Sequence, residues 1–173
     1  LLANGALDDS DTLEIRKQLI ESDKVEAIIV LPRNMFYSTD ISVTLWILNN
    51  NKKGGPWHVR PLRNRTGEIL FIDLRTWNSN IYEKKYVRLT EADIDRVRQI
   101  YFNWQTENFV EYAEPELYYA AHRDEIQGKG YSLVPSRYIE FIDRDTEIDY
   151  QSALSEMSDK FNDLKKRLDA NET

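Results

Sequence analysis

Val25-Glu26-Ala27-Ile28-Ile29-Val30-Leu31, closed by Pro32, and Ser42-Val43-Thr44-Leu45-Trp46-Ile47-Leu48 are two apolar runs of strand length. Neither alternates strictly between apolar and polar residues, so both read as strands covered on both faces, as in a sheet with helices above and below it. Gly67 introduces a third run of the same kind, Glu68-Ile69-Leu70-Phe71-Ile72-Asp73-Leu74. Strands are therefore expected over about 25–31, 42–48 and 68–74. Upstream, Asp8-Asp9-Ser10-Asp11 offers N-cap residues and acids for a helix N-terminus. The helix that follows is expected to run to about Ser22 and to bury Ile15, Leu19 and Ile20. Downstream, Thr90-Glu91-Ala92-Asp93 resembles a capping box with Asp in the place of Glu or Gln. It opens a helix over about 90–105 in which Ile94, Val97, Tyr101 and Trp104 share a face. Glu107 to Pro115 reads as an acidic loop, and His122 to Gln127 as a short helix stopped by Gly128. Tyr131 to Ile142 reads as an extended aromatic segment interrupted by Pro135.

The end of the chain has another character. Tyr150, Leu154, Met157, Phe161, Leu164 and Leu168 recur at alternating spacings of four and three, the seam of a helix that needs a partner surface. The expected division is an α/β body over 1–142 and an amphipathic, partner-docking helix over 143–173. That helix either folds back on the body or projects to pair with a partner or with a second copy; the charged stretch Asp143-Arg144-Asp145-Thr146 favours projection.

Composition narrows the function. The 173 residues carry 23 basic and 30 acidic side chains, a net charge of −7, which excludes a globally cationic nucleic-acid binder but not a local basic patch. With no cysteine there is no disulfide scaffold, thiolate metal site or cysteine nucleophile, a usage that fits a reducing cytosol. Two histidines without cysteine make a zinc site a poor expectation, and none is assigned. No apolar run reaches the roughly 20 residues of a membrane helix, so no membrane partner is expected. The six glycines build neither a G-x-G-x-x-G nor a phosphate loop, so no nucleotide cradle is visible. The chain opens on Leu1-Leu2-Ala3 rather than on Met, and is expected to be a piece of something longer.

Two places carry candidate chemistry. Phe36 and Tyr37 follow the first strand, at the edge where open α/β sheets bind ligands; the alternative is that both rings plug the sheet. Lys52, Lys53, Arg60, Arg63 and Arg65, with Trp57 and His58 among them, lie between the second and third strands. Such a basic loop either contacts phosphates or is a solvated loop balancing nearby acids. Asp73 ends a strand, but one carboxylate is thin ground for a general base.

Ala3-Asn4-Gly5-Ala6-Leu7, Glu14 to Glu21 (EIRKQLIE), Ala27 to Pro32 (AIIVLP) and Met35 to Thr39 (MFYST), in that order, resemble the modification subunit of type I restriction–modification systems. Ile41, Val43, Leu45 and Trp46 continue the likeness, as do Leu70 to Asp73 (LFID) and Gly130 to Tyr138 (GYSLVPSRY). The resemblance covers about Ala3 to Ile139. It implies an adenine-N6 DNA methyltransferase of bacterial or archaeal cytoplasm, and within it a C-terminal piece holding the last strands of a Rossmann-like, doubly wound sheet. It implies S-adenosylmethionine as the cofactor of the full-length parent. The family's glycine-containing cofactor motif and its Asn-Pro-Pro-Phe motif lie upstream of the Asn-Gly-Ala-Leu stretch, so the fragment itself is expected to bind no cofactor and to hold no catalytic residue. Phe36, with Tyr37 beside it, would line the target-base pocket; Asp40 stands where uncharged residues are commoner. The implied partners are DNA, a specificity subunit and a restriction subunit. The alternative reading is a non-catalytic module that docks those subunits.

Overall fold

The computed structural model describes residues 1–36, 40–54, 62–77, 87–142, 154–161 and 165. They fall into two units, Leu1–Phe141 and Ile142–Thr173. The first unit is built on a six-stranded sheet: β1 (Leu2–Ala3), β2 (Val25–Val30), β3 (Val43–Leu48), β4 (Glu68–Asp73), β5 (Ala113–Glu114) and β6 (Tyr118–His122), in the spatial order β1-β3-β2-β4-β6-β5. The pair β2–β4 is parallel and every other pair is antiparallel. Among the described residues three α-helices accompany it, α1 (Leu13–Glu21), α2 (Glu91–Thr106) and α3 (Arg123–Gly128).

The sheet is covered on both faces, which accounts for the unbroken burial of β2 and the near-complete burial of β4. Ile28, Val30, Ile69 and Phe71 face a cluster with Leu7, Ile20, Ile126, Leu133 and Tyr138, whose ring stacks on Phe71 at 4.3 Å. Ala27, Ile29, Leu70 and Ile72 face the opposite cluster, which takes Ile100 and Trp104 from α2. A bulge interrupts β2: Val25 is opposite Leu48 and Ala27 opposite Ile47, so Glu26 is one residue more than the partner strand supplies. The bulge puts Val25 on the same face as Ile28 and turns Glu26 into the protein interior.

Several expectations are corrected. β3 is not covered like β2, since Leu45 and Leu48 are exposed; β1 pairs with it only at Val43 and Thr44. On α1, Ile15 is 61% exposed, and Arg16 is buried in its place. Arg16 donates to the carbonyls of Tyr131 and Asp9, at 3.1 and 2.7 Å, which satisfies the charge inside. On α2 the capping box is present, with Thr90 Oγ1 accepting from the Asp93 N–H and the Asp93 carboxylate from the Thr90 N–H. Its buried residues are Ile100 and Trp104, whereas Ile94 is exposed. β6 lies, but for His122, in a stretch with no predicted element, and the segment after Tyr131, expected to be extended, forms a 3-10 turn at Pro135–Arg137. Gly128 is the last residue of α3, and the left-handed positions that end this segment are Gly130 and Tyr131.

In the second unit, residues 154–161 are helical. Leu154, Met157 and Phe161, spaced three and four apart, are exposed at 66%, 71% and 68%. Tyr150, Leu164 and Leu168 lie outside the described residues. No described helix is long and apolar enough to cross a membrane.

Candidate functional site

Because β2 and β4 are parallel, with Val30 opposite Asp73, both release the chain at one edge of the sheet. The loop after β2 is tied at its base. The Leu31 N–H donates to the Val43 carbonyl at 2.9 Å, and the Ser42 hydroxyl to the Leu31 carbonyl at 2.6 Å. Inside the loop Asn34 takes a left-handed conformation, φ 59°, which asparagine tolerates better than most residues. Its N–H donates to the Asp40 carbonyl at 3.3 Å, and its own carbonyl accepts from the Val87 N–H at 2.9 Å. The Arg33 guanidinium stands 3.5 Å from the Asp40 carboxylate. Phe36 rides on this loop half-buried. Tyr37 lies outside the described residues.

Across the same edge, Asp73 is nearly fully buried, and its carboxylate accepts from the backbone N–H of Arg75 at 3.0 Å and from its Nε at 2.9 Å. Arg75 Nη2 completes the pair, with the guanidinium half exposed. The Asp73 hydrogen bond raises the Arg75 pKa above its ordinary value, outweighing the opposing effect of partial burial. Asp73 is thus committed to holding an arginine, which argues against a free general base.

The expected phosphate contacts are elsewhere. The described residues between β3 and β4, 49–54 and 62–67, lie at the other edge, by the starts of β2 and β4, and Gly54 (φ +72°) packs against the Leu62 backbone. Lys52, buried, donates to the Asp23 carboxylate at 2.8 Å and to the carbonyls of Val25 and Glu68 at 2.9 and 2.6 Å. Arg65, fully buried, pairs through Nε with the equally buried Glu26 at 3.0 Å and donates to the Arg63 carbonyl at 2.8 Å. Arg63 holds Glu68 with both Nη atoms, at 2.8 and 2.7 Å. Both guanidiniums lie over Trp104, 5.5 and 5.6 Å from its ring centre. Desolvation alone would push the Glu68 carboxyl up, but the Arg63 hydrogen bonds and charge, with the Trp104 N–H, hold it below its ordinary value. Lys52, Arg63 and Arg65 therefore neutralise internal acids and have no free charge for a phosphate, which corrects that expectation for these three. Lys53 is exposed, and Arg60 lies outside the described residues. The sequence shows the cations and the acids but not the strand order that brings them together.

Among the described residues no group of three or more His, Asp or Glu is arranged to hold a metal ion. Nor does a glycine-rich turn follow a described strand, since β2 runs into Pro32 and β4 into Leu74-Arg75.

The family model described as N-6 DNA Methylase matches residues 1–147. The chain belongs to the N-6 DNA methylase family. The HindI type I restriction enzyme methylase subunit of Haemophilus influenzae is 33% identical over 142 residues, 80% of this chain and 29% of that protein. The MjaIX methylase subunit of Methanocaldococcus jannaschii is 30% identical across 99% of this chain and 29% of its own length. This family member thus spans less than a third of these curated relatives. The crystal structure of a type I restriction-modification methyltransferase subunit from Streptococcus thermophilus superposes with a TM-score of 0.63 at 25% identity, covering 82% of this chain and 26% of that one. The EcoKI M protein shares the fold at a TM-score of 0.53, with 94% of this chain and 38% of that one covered. The α/β architecture is that of the type I methyltransferase subunits.

Proposed function

We propose that this chain is the C-terminal part of a type I modification subunit, whose activity is transfer of a methyl group to N6 of adenine in DNA. The observation that carries the reading is the family match together with Phe36, held half-buried on a tethered loop at the edge shared by the parallel strands. Adenine N6 is unreachable inside a duplex, so the base must be extruded at a cost of roughly a few kcal/mol. An aromatic face offsets part of that cost by stacking, worth about 1–3 kcal/mol per base. Phe36 has the place and the exposure for that role, with Tyr37 next to it in sequence. S-adenosylmethionine, held by other parts of the subunit, would supply the methyl group in the cytoplasm of the parent organism; the residues described here position the base. The test is methyl incorporation by the full-length subunit carrying Phe36→Ala. Reduced methylation with cofactor affinity retained supports the pocket role. Loss of folding and cofactor binding together makes the ring a core residue.

A second reading has its own observation. The exposed stripe of Leu154, Met157 and Phe161 suits a helix that docks the specificity or restriction subunit, or a second copy of the chain when neither is present.

A further inference from the structure

With Lys52, Arg63 and Arg65 occupied at the opposite edge, the exposed cations around the Phe36 loop among the described residues are arginines that come from three separate segments. Arg33 opens the loop after β2. Arg75 stands two residues beyond Asp73, which is opposite Val30 in the parallel register. Arg88 follows Val87, whose N–H donates to the Asn34 carbonyl inside the loop. We infer that Arg33, Arg75 and Arg88 together bind the phosphodiester backbone of the DNA strand whose base is delivered to Phe36. The inference rests on the methyltransferase reading proposed above and names the contacts that reading leaves open.

Each side chain is suited to the task. Arg75 is oriented by Asp73 through Nε and Nη2, which leaves Nη1 without a carboxylate partner among the described residues and the guanidinium half exposed. A preset fork of this kind binds an oxyanion with little loss of freedom. Among the described residues Arg33 makes its one ion pair with Asp40, itself exposed, at a separation of 3.5 Å, a pair that water and salt readily open. Arg88 is exposed and makes no ion pair among the described residues. Contacts of this sort fix the position of the strand without reading its sequence, which suits a subunit that must register any target adenine against the same ring.

The experiment uses the full-length subunit assembled with its partners, and follows binding of a duplex by fluorescence anisotropy over a series of potassium chloride concentrations. Arg33→Gln, Arg75→Gln and Arg88→Gln should each weaken binding several-fold, equally on target and non-target duplexes. Each should lower the slope of log K against log salt by about 0.9, the value of one phosphate contact, with cofactor affinity unchanged. Arg98→Gln, on the exposed face of α2 and paired with Asp95, is the control and should leave the slope alone. Because Arg75→Gln strips a buried Asp73 of its partner, the Arg33→Gln/Arg88→Gln double variant carries the test should the former fail to fold. An unchanged slope in that double variant, with the wild type methylating normally, overturns the inference and leaves the proposed function standing. Lost subunit assembly at an unchanged slope also overturns it, by assigning the arginines to a protein surface. A wild-type complex that neither binds DNA in a salt-dependent way nor methylates it overturns the proposed function itself.

Discussion

Glu26→Gln should be among the most damaging isosteric substitutions in this protein. Glu26 and Arg65 are both fully buried and paired at 3.0 Å, and the carboxylate also accepts from Gln105 at 3.2 Å and from Asn49. Glutamine keeps the volume but removes the negative charge. Arg65 would then be a buried cation opposed mainly by the Arg63 carbonyl, and its Nη2 already lacks a partner. Breaking a buried pair from one side costs about 3–5 kcal/mol. With a urea dependence of about 2 kcal/mol per molar, the denaturation midpoint should fall by about 2 M. Tryptophan fluorescence suits the assay, because Trp104 is fully buried beneath the two guanidiniums. The double variant Glu26→Leu/Arg65→Met removes both charges and should recover most of the loss, as apolar replacement of whole buried pairs does elsewhere. A midpoint shift below about 0.5 M for Glu26→Gln, on the same scale, would refute the idea that Glu26 is what neutralises Arg65.

Other outcomes can be checked alongside. The Glu68 carboxyl sits below its ordinary value of 4.5 in the folded chain, so its pairing with Arg63 contributes fully above that pH and is lost as pH falls through the lower folded value. Urea midpoints measured down the acid range should drop there, and Glu68→Gln should flatten that drop. Phe36→Ala in the full-length subunit should reduce methylation by roughly 5- to 150-fold, the equivalent of a stacking loss of about 1–3 kcal/mol. Leu154→Glu with Phe161→Glu should abolish subunit assembly, read by size-exclusion chromatography, while the melting temperature of the α/β unit stays nearly unchanged; unfolding of that unit would refute the docking role.

How far the sequence could be read depended on where each element gets its stability. β2 and β4 are buried on both faces and consist almost wholly of apolar residues, so their runs are visible directly. α2 carries its own start signal at Thr90 and Asp93. β6 has no such signal: Tyr118-Tyr119-Ala120-Ala121-His122 is a strand because five of its residues pair with β4, a long-range interaction that overrides weak local preference. On α1 the apolar count pointed to Ile15, yet Arg16 is inside because two carbonyls from other segments receive it. The Phe36 loop was legible as a connection leaving the end of a buried strand, because Pro32 closes the apolar run; that a base binds there is the proposal made above. The basic loop was misplaced for a topological reason. Its residues name cations, and only the parallel pairing of β2 with β4 decides that they lie beside Glu26 and Glu68.

The extra residue at Glu26 works as a break in phase along β2. Ahead of it, Asp23 and Val25 belong to the ion network; behind it, Ala27 to Val30 keep their own count against β3 and β4. A homologous strand without Glu26 would still show Ile28 and Val30 to one face and Ile29 to the other, and would still deliver the Phe36 loop in the same orientation. It would lose the anchor for Arg65 and the acceptor that Asn49 and Gln105 share. The two edges of the sheet are therefore separable: a change to the buried charges at one need not move the loop above the parallel strands at the other.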